Sequence, residues 1–478
     1  MNSTFELGFV VAATGASMFR VRAQRFEGVA IDGRSVPPGG LWFALRGDRF
    51  DGHDFAAQAA AGGAAGLVVG RGRAGDLRGD PDVTVLEVDD PAVALGALAR
   101  AHRERLPSLR VVGVTGSNGK TTTKELVAAI LAAHVGDAAV HKTAGNFNNH
   151  LGLPLTLLAL TEAHRFAVIE MGMSARGEIA LLASLARPEI GVIVNVGPVH
   201  LETLGSIAEV ARAKGELFAA LTPSGTAVFP DGDPLIAAEA AASPAVRRIR
   251  FGVRPGVEVR IESARALPEG TDVALRLPNG ARLGARLAAV GGHHAMNAAA
   301  AAAVAFALDV PPSVIARGLG AARSEKHRSS LIEVVGRRVL DDCYNASPLS
   351  MAAALETLAA IRGAARAVAV LGDMLELGAE EVVLHRNIGA LAARLGLDLL
   401  VTVGDHGRHI ADGALSAGMP PARVRHAATT DEAADEAARV AEPGDFILVK
   451  ASRGMRLERV LEALAVRFTA SQQNPGAA

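Results

Sequence analysis

The chain is 478 residues long, with 49 Lys and Arg against 50 Asp and Glu, 50% hydrophobic residues and 21% charged ones. At roughly 150 residues per domain this length excludes a single small module and predicts about three domains, each able to bury a core. The apolar content excludes a disordered chain, and the near-neutral balance excludes a partner attracted by bulk charge, such as nucleic acid or an anionic membrane, leaving a small molecule as the expected partner.

The first 108 residues read as a small mixed unit. The stretch from Phe9 to Met18 imitates a secretory apolar segment, but Gly and Thr interrupt it, no basic segment precedes it and Glu6 stands beside it; a short amphipathic helix is expected. LWFAL near Leu41, the helix-like DFAAQAAAGGAA and the strand-like LVV (Leu67 to Val69) follow, until Pro107 and Ser108 interrupt the pattern. From Leu109, β-rich runs alternate with helical stretches, the signature of a mainly parallel sheet covered by helices. The runs are LRVVGV (Leu109 to Val114), FAVI (Phe166 to Ile169) and IGVIV (Ile190 to Val194). An Ala-rich helix starts near Asn297, Pro311 and Pro312 punctuate, and RSEKHRSS (Arg323 to Ser330) is a polar link. A second alternating series runs through RRVL before Asp341, AVAVL (Ala367 to Leu371), LLVTV (Leu399 to Val403) and FILVK (Phe446 to Lys450).

The expected architecture is α/β with three domains. Residues 1–108 form a small mixed N-terminal unit, 109–322 a doubly wound, mostly parallel sheet, and 323–478 a Rossmann-like unit whose tail after Phe468 frays. No apolar run reaches the ~18 residues of a spanning helix. The single cysteine, Cys343, cannot form an internal disulfide and reads as an inert core thiol. Both features suit a soluble cytoplasmic protein.

LRVVGV runs into TGSNGKTT and then into the helix-like TKELVAAILAA. Strand, Gly-rich turn and helix in that order make a phosphate site. Gly116 and Gly119 let backbone N–H groups approach, the helix N-terminus adds partial positive charge, Lys120 reaches the outer phosphates and Thr121 can hold Mg²⁺. The usual spacing would put Gly at position 114, where this chain has Val114.

Ligands of open α/β sheets sit outside the carboxyl ends of the strands. Glu170 follows FAVI directly, and its carboxylate can bind Mg²⁺. IGVIV leads into NVGPVH and places His200 on the same edge as Lys120 and Glu170. In SIAEVARAKGELFAAL, Lys214 falls on the apolar face with Ile207, Val210, Ala211, Leu217, Phe218 and Leu221. Two readings stand: a snorkelling stem with its ammonium in water, or a partly buried amine whose lowered pKa leaves it reactive.

Five stretches now define a resemblance: GVTGSNGKTT, IEMGMSARGEIA, NVGPVHLETLGSIAEVARAKGEL, GGHHAMNAAAA and DDCYNASPLSMAAAL. The chain resembles the Mur ligases, ATP-dependent amide-forming enzymes of peptidoglycan precursor synthesis. GNFNNHLGLPLTLL, LGDMLELG, DDCYNASP and VKASRGMRLE favour the branch that adds D-alanyl-D-alanine to UDP-N-acetylmuramoyl-tripeptide. IDGRSVPPGGLWFAL and DGHDF match more loosely. Departures are Gly33 within Asp32-Gly33-Arg34, where Asp-Ser-Arg is usual, His294 after His293, where His-Asn is usual, and His327-Arg328 in place of Gly-Arg.

The resemblance implies that the tripeptide's terminal carboxylate is phosphorylated by ATP and the resulting acyl phosphate is attacked by the dipeptide amine. It assigns Thr115, Gly116, Ser117, Asn118, Gly119, Lys120 and Thr121 to ATP, joined by Asn297, Arg328 and Asp342. Two Mg²⁺ fall to Thr121, Glu170, His200 and a carbamylated Lys214, and the catalytic set is Lys120, Lys214 and His200. Arg34, Ser35, Asn146 and Asn149 are the substrate candidates. The N-terminal domain would hold the UDP end, and the C-terminal domain would close on ATP and bind the dipeptide.

Rival readings are a ligase adding the third amino acid, which lacks support because no Asp-x-Pro-Arg segment occurs, and a folylpolyglutamate-synthase-like ligase, for which the N-terminal segment is superfluous. A P-loop nucleotide switch lacks its Asn-Lys-x-Asp signature. A non-catalytic scaffold would not need the intact Lys120, Thr121, Glu170, His200 and Lys214 set.

Overall fold

The computed structural model describes residues 3–47, 50–77 and 82–473. Its centre is a nine-stranded sheet in the order Arg282–Leu287, Gly270–Arg276, Val259–Leu267, Arg247–Gly252, Thr226–Pro230, Ile190–Ile193, Arg110–Thr115, Phe166–Glu170 and Val140–Lys142. The strands from Val140–Lys142 to Val259–Leu267 run parallel, and the last two add antiparallel. Arg110–Thr115, Phe166–Glu170 and Ile190–Ile193 are hydrophobic runs because helices cover both faces of the sheet.

The antiparallel meander from Val259 to Leu287 has no counterpart among the strands expected from sequence. Its strands are half-exposed, with Leu283 and Leu287 inward and Arg282 and Arg286 outward. Such strands alternate, so they lack the continuous apolar runs that reveal the buried parallel ones.

The Ala-rich helix His294–Ala307 is apolar on nearly every face and buries twelve of its 14 residues. Small side chains let it lie close to the sheet and to the helix Lys120–Val135. That close approach brings Asn297 to the glycine turn.

A five-stranded N-terminal sheet, in the order Ser17–Arg20, Thr84–Val88, Ala64–Gly70, Gly40–Phe43 and Val29–Ala30, joins the central unit through a shared core. Phe5, Phe26, Leu41 and Leu86 pack in the same cluster as Leu157, Ile169 and Leu182. The C-terminal sheet has six strands, ordered Ser330–Val334, Arg337–Asp341, Phe446–Lys450, Ala367–Gly372, Leu399–Val403 and Val424–Ala427, all parallel except the antiparallel first. Its core is largely its own, with Val290 and Ala266 of the central unit packed against it.

Two local expectations change. The N-terminal helix spans Leu7–Thr14 and ends at Gly15, at φ 67°, so Met18 belongs to a strand instead. The tail does not fray at Phe468, because the last helix, Glu458–Gln473, runs through it; residues 474–478 lie outside the described part. No helix among the described residues is long and apolar enough to cross a membrane.

Candidate active site

The strand Arg110–Thr115 ends at the Gly-rich turn, and the turn is held from the side. Asn118 N–H donates to Asn195 Oδ1 (2.8 Å), and Ser117 Oγ accepts from Gly197 N–H (2.9 Å). Gly119 sits at φ 76° and opens the helix Lys120–Val135. A Cβ there would lie 2.4 Å from Asn297 Oδ1, so both conformation and space require glycine. Lys120 Nζ donates to Gly116 O (2.8 Å), and burial lowers its pKa, opposed by the negative charge of Glu170.

The turn floors a cleft of about 690 Å³ between the central and C-terminal units. On the central wall, Glu170 is buried at the carboxyl end of its strand. Its Oε1 accepts from Asn148 Nδ2 (2.8 Å), while its Oε2 is buried without a hydrogen bond, the Lys124 Nζ standing 4.0 Å away. Thr121 lines the same cleft.

His200 stands at φ 52° at the start of a short helix, and its Nδ1 is 2.5 Å from Glu376 Oε2, a residue of the C-terminal unit. Burial lowers the His200 pKa against the pull of Glu376, and the charges of Lys214 and Lys120 lower it further. Lys214 is 2% exposed, and its pKa falls well below the usual lysine value through burial first and the Lys120 charge second. The snorkelling reading is thereby excluded, because the amine does not reach water.

The opposite wall is C-terminal. Asp342 accepts from Lys450 Nζ (2.5 Å) and from Ser329 N–H (2.9 Å). Arg328 stacks on the Tyr344 ring, 4.0 Å from its centroid, and its buried Nε has no partner. His293 and His294 lie on the central side with ring centroids 4.0 Å apart; burial lowers the His293 pKa to about 4 and that of His294 well below the normal histidine value. Ser347 Oγ spans the two walls by donating to Asn118 Oδ1 (2.9 Å).

Of the sequence candidates, Ser117, Asn118, Gly119, Lys120, Thr121, Asn146, Glu170, Asn297, Arg328 and Asp342 meet on this one cleft. Thr115 and Gly116 are not among its lining residues but lead into the turn, Gly116 O accepting from Lys120 Nζ, and His200 and Lys214, also outside the lining, stand near enough to Lys120 for its charge to lower their pKa values. Arg34 is exposed on the N-terminal unit and forms a two-point pair with Asp32, and Ser35 closes the same turn. Asn149 is occupied as a helix cap, its Oδ1 accepting from Gly152 N–H (2.9 Å). Sequence reasoning missed Asn148, His293, Lys450 and Glu376. Lys450 ends the run FILVK, so the strand-end rule that found Glu170 also points to it.

A glycine turn between a parallel strand and a helix, facing a second parallel unit that contributes Asp, Lys and Arg, defines a nucleotide-dependent P-loop enzyme whose cleft is completed by another domain. Three family descriptions match in chain order: "Mur ligase family, catalytic domain" over residues 25–103, "Mur ligase middle domain" over 114–305, and "Mur ligase, glutamate ligase domain" over 327–453. The chain belongs to the Mur ligase family.

It is 38% identical to the UDP-N-acetylmuramoyl-tripeptide–D-alanyl-D-alanine ligase of Bacillus subtilis (strain 168), the match covering 92% of this chain and 93% of the relative. Among solved structures it resembles MurF from Acinetobacter baumannii, with TM-score 0.87 and 31% identity over 97% of this chain and 99% of that one. The MurF ligase of Thermotoga maritima in complex with ADP gives TM-score 0.80 and 28% identity, covering 93% and 98%.

Proposed function

We propose that the chain joins D-alanyl-D-alanine to UDP-N-acetylmuramoyl-tripeptide in the cytoplasm, consuming ATP and releasing ADP and phosphate. The observation that carries this reading is the facing of two charged walls across one cleft: Lys120 and Glu170 on the central side, Asp342, Lys450 and Arg328 on the C-terminal side. The relatives' activity supplies the substrates. Residues 1–108 would hold the UDP end, through Arg34 and Ser35, residues 109–322 would hold ATP, and residues 323–478 would close over it and bind the dipeptide. Asn146 and Asn149 would lie toward the tripeptide.

In the first step a tripeptide carboxylate oxygen attacks the γ-phosphorus, the bond to ADP breaks and an acyl phosphate forms. In the second the dipeptide amine attacks the acyl carbon, the C–N bond forms, phosphate leaves and the amine gives up a proton. Backbone N–H groups of residues 116–121 would cradle the phosphates, and the Lys120 ammonium would answer their charge. Asp342, held by Lys450, would accept from the ribose, with Asn297 on the base side and Arg328 on the phosphates. Closure by the C-terminal unit keeps water from the acyl phosphate.

The donors suit Mg²⁺ at one place outright. Glu170 Oε2 is an orphaned carboxylate oxygen on the cleft that Thr121 also lines, and the two side chains offer hard oxygens. His200 and the Lys214 amine offer nitrogen alone, which suits Mg²⁺ poorly. A carbamate on Lys214 resolves that mismatch: the neutral amine adds to CO₂, loses one proton and presents oxygens. Two Mg²⁺ held there would neutralise charge on the transferring phosphoryl group.

The test follows the oxygen. With the tripeptide carboxylate labelled in ¹⁸O, one labelled oxygen is expected in the released phosphate for each amide formed. Unlabelled phosphate would refute activation through an acyl phosphate.

A further inference from the structure

Behind the nucleotide wall, on residues the ligase reaction does not use, three metal-ligating side chains converge. His327 Nδ1 lies 2.8 Å from Asp341 Oδ2, Cys343 Sγ lies 3.2 Å from Asp341 Oδ1, and Sγ and Nδ1 are 3.6 Å apart. One ligand atom from each falls within 4.8 Å of the others. Asp341 and Cys343 are buried, while His327 is part-exposed and leaves an approach from solvent.

We propose that His327, Asp341 and Cys343 form a binding site for a divalent ion of the Zn²⁺ class. The donor set of one sulfur, one imidazole nitrogen and one carboxylate oxygen is borderline-soft, which suits Zn²⁺ and disfavours Mg²⁺. With metal bonds of about 2.3 Å to sulfur and about 2.0–2.2 Å to nitrogen and oxygen, tetrahedral ligand atoms stand roughly 3.4–3.6 Å apart. The sulfur–nitrogen edge already has that length, and because Asp341 now meets His327 through Oδ2 and Cys343 through Oδ1, a rotation of its carboxylate would set one oxygen as the third ligand. A fourth position remains for water.

The local charge agrees with a cation. Besides burial, the carboxylates of Asp341, Glu458 and Asp342 all push the Cys343 thiol pKa upward, and Glu458 Oε2 is buried without a partner. A bound ion would displace the thiol proton and relieve that repulsion, so binding tightens as pH rises.

The position gives the ion a consequence. His327 is next to Arg328, Asp341 and Cys343 flank Asp342, and Tyr344 N–H donates to His327 O (3.1 Å). His327 holds φ 62°, which glycine would adopt freely. A bound ion would tie the Arg328 loop to the strand end that carries Asp342, and so fix the two C-terminal nucleotide contacts relative to each other.

The test uses the full chain, stripped of transition metals and kept in excess Mg²⁺ and ADP, titrated with Co²⁺. One equivalent is expected to produce a thiolate-to-cobalt charge-transfer band with d–d bands of tetrahedral intensity, bleached by one equivalent of Zn²⁺. The ATP site contains no cysteine, Cys343 being the chain's single one, and cannot give a thiolate band. In Cys343→Ser the charge-transfer band disappears, and in His327→Ala the Zn²⁺ affinity falls at least about tenfold. Absence of the band in the unmodified protein overturns the site, whether or not the variants fold, as does persistence of the band in Cys343→Ser. The titration reads no turnover, so its failure leaves the ligase assignment standing.

Discussion

Replacing Lys214 separates packing from chemistry, because two substitutions that differ in stability should lose activity alike. Lys214→Met keeps the buried stem and removes an amine whose pKa burial and the Lys120 charge push down, so that its charged form is costly to keep there. Its melting temperature is expected to equal or exceed that of the parent. Lys214→Ala deletes three buried methylenes, at about 0.8 kcal/mol each, and should lose roughly 2–3 kcal/mol of unfolding free energy. Both variants should lose activity alike, by about 10²–10³-fold or more in kcat, the scale for losing one electrostatic stabiliser. Acetate or formate should restore part of the ADP release in the alanine variant, where space is open, and not in the methionine variant, where it is filled. A matched chloride series removes ionic-strength effects. A Lys214→Met enzyme within tenfold of parental kcat would refute the carbamate and leave Lys214 as packing.

Three further expectations follow from other parts of the molecule. Asn297→Ala and Asp342→Ala should raise the KM for ATP more than they lower kcat, because base and ribose contacts bind ground and transition states alike; steady-state kinetics with an unchanged KM in both would contradict their placement. Glu376→Gln keeps a hydrogen-bonding partner for His200 but removes the charge that opposes the lowering of its pKa, so kcat should fall more than that of a surface Glu→Gln control while the melting temperature holds; parental kcat would show that this interdomain contact does not position His200. His385, fully buried, is held at about 4 by burial while its unfolded value is near 6.5. Above pH 6.5 it contributes nothing to pH dependence; as pH falls from 6.5 to 4 only the unfolded chain takes up the proton, so up to about 3 kcal/mol of stability is lost. Urea unfolding against pH should therefore be flatter in His385→Gln, and an unchanged slope would refute the assignment.

The glycine turn and the strand-end position of Glu170 were legible because both follow from local rules, a Gly-Lys-Thr turn after a strand and a residue at a parallel strand's end. Lys214 was visible as a charge on an apolar stripe, yet periodicity could not decide between snorkelling and burial. Burial is set by the elements that pack against this helix in the fold, which is tertiary packing and not a property of the helix's own periodicity. The pair Asn148 and Asn149 shows the same limit. Helix capping takes Asn149 and leaves Asn148 to hold Glu170, a choice made by backbone geometry at the helix start. Glu376 was beyond local reading, since its partner His200 is 176 residues away and belongs to another unit.

The most direct measurement of the central claim is ADP release with a panel of UDP-muramoyl peptides, each with and without D-alanyl-D-alanine. The account predicts sustained release only when a UDP-N-acetylmuramoyl-tripeptide and the dipeptide are both present, with one amide formed per ADP. Sustained release without the dipeptide, or equal release with a UDP-muramoyl dipeptide and a free third amino acid, would contradict it.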